Sequence, residues 1–158
     1  MREILFRGKR IDSELWVEGS LVNNIFFRAG TNRPVPYIIN QDEYEEYCCM
    51  EDIGELAVEV IEDTVGQFTG LHDKNGVEIF EGDIFTSDYF DDTYHFEVVF
   101  SDGAFCGKHK SIGIYMLGFT NYDDNGEDLG YWGEEDYTSH IQVIGNIHDN
   151  PELLEAKS

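Results

Sequence analysis

The sequence predicts a mainly β protein with little helix, its C-terminal part a small barrel or roll. Three observations carry this. Apolar and aromatic clusters of three to five residues recur between Gly, Asp and Ser turns, which is the pattern of short strands. No stretch sustains the i, i+3, i+4 apolar spacing of a long amphipathic helix. The hydrophobic share is 41% and the aromatic share 14%, enough for a packed core despite the charge.

The elements follow in order. Ile4-Leu5-Phe6 reads as a strand turning through Arg7-Gly8-Lys9-Arg10, and Leu15-Trp16-Val17 as a second that turns at Glu18-Gly19-Ser20 into Leu21-Val22. Asn23-Asn24 and Gly30–Pro34 are loop material, and Tyr37-Ile38-Ile39 after Pro36 reads as a short strand at a sheet edge. Residues 41–52 are the most helix-like segment, with Asn40 as cap. The window 41–63 holds ten acidic residues and no Lys or Arg, so a loop or a single helical turn fits as well. Leu56–Ile61 reads as a strand broken by Glu62-Asp63-Thr64.

From residue 65 the β pattern is plainer. Gln67–Leu71 and Val77–Phe80 flank His72-Asp73-Lys74-Asn75-Gly76, where Asn-Gly signals a hairpin with positive φ at Asn75 or Gly76. Glu81-Gly82-Asp83 turns into Ile84-Phe85-Thr86. Phe96–Phe100 ends in the turn Ser101-Asp102-Gly103, and Ile112–Leu117 and Ile141–Ile147 complete the strands. A short helix after Pro151, capped by Asn150, closes the chain. The expected organisation is an N-terminal β region over 1–64, a barrel region over 65–150 and a tail over 151–158, or all three in one compact domain.

Charge is the extreme quantity. Residues 1–40 carry +2 and residues 41–158 carry −25, giving the net −23. A basic groove for nucleic acid or a surface for anionic membrane needs clustered Lys and Arg, so neither partner is expected. Two uses of the acidity stand: a self-repelling, solubilising surface, or an imitation of polyanionic DNA that occupies a basic site on another protein. No apolar run approaches the roughly 20 residues of a membrane span, and the charged start Met1–Gly8 lacks a signal-peptide core, so a cytoplasmic location in a bacterial host is expected. Cys48, Cys49 and Cys106 show no ligand spacing and are expected reduced.

Three stretches carry a family likeness: Phe6–Ile11 with Trp16–Gly19; Thr64–Gly76 continuing through Glu78–Ile84; and Val143–Leu154, which contains Gly145-Asn146-Ile147-His148-Asp149-Asn150-Pro151. Together these resemble the YopX family of phage and prophage proteins. The resemblance implies an SH3-like β-barrel in the C-terminal part and brings no catalytic residues with it. The motif glycines Gly66, Gly70, Gly76 and Gly82 suit tight turns, and Val65, Phe68, Leu71, Ile79, Phe80 and Ile84 suit a core.

Tests for chemistry return no catalytic, cofactor or metal residues. Asn121–Gly126 matches the first half of a calcium loop, but position 12 is Trp132 in place of the bidentate Glu. The acidic loop 121–128, with Glu127 and Asp128 or with Asp88, Asp91 and Asp92, remains open to weak cation binding. His72, His95, His109, His140 and His148 are scattered, and no nucleophile elbow or phosphate loop is present. The expected function is therefore that of a non-enzymatic accessory protein working by protein–protein contact as a homo-oligomer, with an acidic DNA-mimic inhibitor of a host nucleic-acid enzyme as the alternative. Asp73–Gly76 is expected to be scaffold: Gly76→Val should cost roughly 1–3 kcal/mol and Asp73→Ala on the order of 0.5–1 kcal/mol, for one turn bond.

Overall fold

The computed structural model describes residues 4–23, 35–40, 56–88, 94–110, 113–116 (backbone path) and 137–155. Its strands form two antiparallel sheets, with short 3-10 turns among the described residues, and Leu56 is helical where it enters the strand that follows it. The chain divides into two compact units, residues 1–68 and 69–158.

In the first unit, β1 (Phe6–Lys9) pairs with β2 (Trp16–Asn23), β2 with β3 (Pro36–Ile39), and β3 with β4 (Ala57–Glu59). The opening of β5 (Gly66–His72) adds to the far side of β1 through Phe6↔Gln67 and Arg7↔Gly66. Three sequence expectations are corrected here. Arg7-Gly8-Lys9 is strand, not turn: a Cβ on Gly8 would stand 3.1 Å from the Val60 Cβ, so this glycine answers to close packing. Glu18-Gly19-Ser20 lies inside one continuous strand, where a Cβ on Gly19 would overlap the Ile39 carbonyl. Tyr37–Ile39 is an interior strand between β2 and β4, with Pro36 tolerated as its first residue. Ile38, Tyr37, Leu56, Val60 and Phe68 are buried in this unit. Thr64, in the 3-10 turn Glu62–Thr64, accepts a bond from Lys9 N–H at 2.9 Å and donates to the Ile61 carbonyl at 2.7 Å, which stops the chain after β4 and holds it to β1.

The second unit contains the sheet β10-β9-β8-β7-β11, from β7 (Asp83–Ser87), β8 (Phe96–Ser101), β9 (Ala104–His109), β10 (Gly113–Met116) and β11 (Ile141–Asn146). β6 (Glu78–Phe80) returns beside the second half of β5, where the Thr69 hydroxyl donates to the Ile79 carbonyl at 2.8 Å. The core gathers Ile79, Phe85, Phe96, Val98, Phe105 and Ile141, with Phe85 and Phe96 stacked at 5.3 Å. β8 and β9 join through a two-residue turn with φ +50 at Asp102 and +86 at Gly103, between the paired Ser101 and Ala104. Both central residues at positive φ match the twist of the flanking strands. Among the described residues β10 and β11 are the sheet's two edges, and no ladder between them closes a barrel. The expected helix after Pro151 is a 3-10 turn, Pro151–Glu155. The helix-like segment 41–52 lies outside the described residues, as do Cys48 and Cys49.

Candidate functional site

The polar residues of the two C-terminal motifs converge on one strand edge. β11 pairs with β7 on one side, and a bulge between Val143 and Gly145 shifts its register. Strand alternation turns the peptide groups of Ile141 and Val143, and past the bulge those of Asn146, away from β7. Each meets a partner from a motif. The Ile141 carbonyl accepts from Lys74 N–H at 2.9 Å, and Val143 N–H donates to Asp73 Oδ2 at 3.1 Å. Asn146 N–H donates to Asn150 Oδ1 at 3.4 Å, and its carbonyl accepts from Asn150 N–H at 2.9 Å. A row of unpaired edge groups invites another strand; here it is sealed by the chain itself.

Asp73 is the centre of that seal. The loop from Asp73 to Val77 is a hairpin of three residues: Asp73 N–H donates to the Val77 carbonyl at 2.7 Å, Gly76 N–H donates to the Asp73 carbonyl at 2.9 Å, and Gly76 takes φ +81. This is a β-turn followed by a left-handed glycine. Asn75 is not among the residues at positive φ, so of the two expected positions the glycine is the one used. The Asp73 carboxylate is buried at 5% exposure. Its Oδ1 accepts from Asn75 N–H at 2.7 Å and Val77 N–H at 3.0 Å, while Oδ2 reaches Val143. Burial raises the carboxyl's pKa, but the bonds from Val77, Val143 and Asn75 outweigh it and hold the group below its ordinary value. Sequence reasoning assigned this side chain one turn bond; the structure gives it three from backbone N–H groups, one of them 70 residues away.

Asp83, Gly82, Asn146 and Asn150 of the motifs are likewise occupied. Buried Asp83 accepts from Phe80 N–H at 2.8 Å, while Gly82, at φ +83, donates to the Val98 carbonyl and accepts from Ile147 N–H. Asn146 Oδ1 accepts from His148 and Asp149 N–H, and a Cβ on Gly145 would stand 2.5 Å from Asn150 Oδ1, so glycine is what lets Asn150 reach the strand. Of the acidic groups read as a weak cation site, Asp88 is bonded to Lys74 Nζ at 3.0 and 3.3 Å; Asp91, Asp92 and the loop 121–128 lie outside the described residues. Of the histidines, His95 Nδ1 is 2.8 Å from the Leu153 carbonyl, and His109 lies against the rings of Tyr94 and Phe96. Cys106 is buried, and burial together with the charge of Asp102 pushes its thiol up, away from reactivity. Among the described residues no group of three or more His, Cys, Asp or Glu is placed to hold a metal ion.

Cation and ring contacts occupy the basic N-terminal region. The Arg7 guanidinium lies 4.8 Å and the Lys9 ammonium 5.5 Å from the centre of the Trp16 ring, and Arg10 pairs with Asp12 at 2.9 Å. That bond, with one from Ser13, holds the Asp12 carboxyl down to about 2. Large apolar side chains stand exposed at turn ends: Ile11 and Leu15 between β1 and β2, Val77 beside Gly76, and Phe100 beside the Asp102-Gly103 turn.

Fold and site together define a mainly β protein in which polar residues of the motifs stitch strands and seal an edge. A family profile described as YopX protein matches residues 29–155, and the chain belongs to the YopX family. The likeness at Phe6–Gly19 falls outside that span. A solved structure, the crystal structure of protein EF1440 from Enterococcus faecalis, is similar to this chain at 25% identity and a TM-score of 0.51, covering 98% of this chain and 99% of that one. A search of curated proteins gave no match.

Proposed function

We propose that this chain is a non-enzymatic phage or prophage accessory protein of the bacterial cytoplasm that works by protein–protein contact and self-associates. One observation carries the reading: the motif side chains of Asp73, Asp83, Asn146 and Asn150 are committed to backbone bonds, while Ile11, Leu15, Val77 and Phe100 stand 48–66% exposed at turn ends. Apolar side chains presented on tight turns suit contact with another protein. The β7–β11 sheet would form the SH3-like roll of the C-terminal region. Light scattering across a concentration series tests self-association; a strict monomer at high micromolar concentration would overturn that part.

The net charge of −23 supports a second reading, an acidic DNA mimic that inhibits a host nucleic-acid enzyme. Pull-down from bacterial lysate separates the two. Capture of basic DNA-binding proteins that added DNA abolishes favours mimicry, and capture unchanged by charge reversal at Glu45, Glu46, Glu51 and Asp52 removes that segment from it.

A further inference from the structure

We propose that Asn75–Gly76 is a latent deamidation site that the fold keeps closed through Asp73. The chemistry is intrinsic to the pair. The Gly76 amide nitrogen, having lost its proton, attacks the Asn75 side-chain carbonyl carbon; a C–N bond forms, ammonia leaves, and water then opens the cyclic imide to aspartate or isoaspartate. Glycine allows this because no side chain hinders the approach, and Asn-Gly pairs are correspondingly labile. Both residues are exposed, and a Cβ at Gly76 would have nothing within 4 Å, so water and hydroxide have access.

The turn withholds the reacting groups. The nucleophile's own N–H is engaged, donating to the Asp73 carbonyl at 2.9 Å. The amide on the other side of Asn75 is held by Asp73 Oδ1 at 2.7 Å, and the Asn75 side chain adds a contact to the same carboxylate. Ring closure requires the 75–76 peptide to rotate, which breaks the bond from Gly76 to Asp73. Reaction therefore proceeds only from the fraction of molecules in which the loop has opened. The isoaspartate product carries an extra backbone atom between 75 and 76 and a new carboxylate beside Asp73. It cannot rebuild the turn, so Oδ2 loses its fixed place on Val143 N–H and that part of the β11 seal is lost.

The test is peptide mapping for isoaspartate after incubation at mildly alkaline pH. It compares the native chain, the same chain in urea, and native Asp73→Ala, and resolves Asn75 from the second such pair, Asn125–Gly126. Asn75 should deamidate at least about tenfold more slowly in the native chain than in urea, since opening equilibria multiply the open-state rate. Asp73→Ala should recover most of that gap, and native chain enriched in isoaspartate at 75 should melt at lower temperature. Equal rates at Asn75 in the native and urea-treated chain would overturn the proposal without reference to any variant. A native Asp73→Ala no faster than wild type would overturn the role given to Asp73.

Discussion

Replacing Asp73 by alanine tests the edge-seal reasoning most directly. The substitution removes the acceptor of three N–H groups at 2.7, 3.0 and 3.1 Å, one of them on β11. Bonds to a charged group contribute about 1.5–3 kcal/mol each. Asn75 and Val77 are exposed, so water replaces much of what they lose, whereas Val143 N–H is left on a half-buried edge. The expected loss is about 2–4 kcal/mol, a fall in melting temperature on the order of 10 °C for a chain of this size. That exceeds the cost read from the sequence, which counted a single turn bond. Asp73→Asn keeps one acceptor oxygen and should lose about half as much.

The same reasoning fixes the pH dependence. The folded carboxyl lies below its ordinary 3.8, so its contribution is present above that pH and disappears as pH falls through the lower folded value. The gap between wild type and Asp73→Ala, followed by thermal melting at neutral pH and then in steps below pH 4, should therefore narrow on acidification. An Asp73→Ala variant that melts with wild type at neutral pH, or a gap that persists undiminished in acid, would refute the assignment.

Three further outcomes are expected. Gly76→Val should cost about 1–2 kcal/mol from forcing a β-branched residue to φ +81, with no clash to add, and should leave partner capture intact; an unshifted melt with capture lost would make the loop a binding site. Glu14→Gly should stabilise the β1–β2 hairpin by about 0.5–1 kcal/mol, because relief of the strain at φ +58 exceeds glycine's entropic cost; denaturant titration reads the sign. Gly107→Ala places a Cβ 2.5 Å from Phe85 Cζ and should cost about 1–3 kcal/mol by displacing the ring stacked on Phe96, visible as a lost near-ultraviolet signal as well as a lower melt.

What was legible in the sequence follows the range of the forces involved. Turns whose chemistry is local were readable: Asp102-Gly103 and Gly76 take the backbone their residue types demand. Strands flanked by such turns, from β5 to β8 and at β11, appeared where apolar clusters predicted them. Glycines misled where their reason was distant. Gly8 and Gly19 look like turn residues in sequence, yet Val60 and the Ile39 carbonyl exclude a side chain there. β9 was missed for a related cause: Ala104-Phe105-Cys106-Gly107-Lys108-His109 lacks clean alternation because Gly107 yields its space to Phe85. The Asp-Gly turn before it was the available signal, since a tight turn with both residues at positive φ requires a returning strand.

The family motifs show the same division. Their glycines and apolar residues announce turns and core, but Asp73 and Asn150, 77 positions apart, disclose nothing in sequence about serving one strand. The structure puts Asp73 Oδ2 on Val143 N–H and Asn150 on Asn146, which links the two motifs: both finish the exposed edge of β11. Edge strands left open recruit other chains, so a protein that works by selective contact gains from closing every edge it does not use. On that argument the proposed self-association would use the exposed apolar turn ends and not β11. Mutating Asp73 and Asn150 should then create a new contact, and mutating Ile11 and Leu15 should remove the proposed one, both read as a change in light-scattering mass across a concentration series.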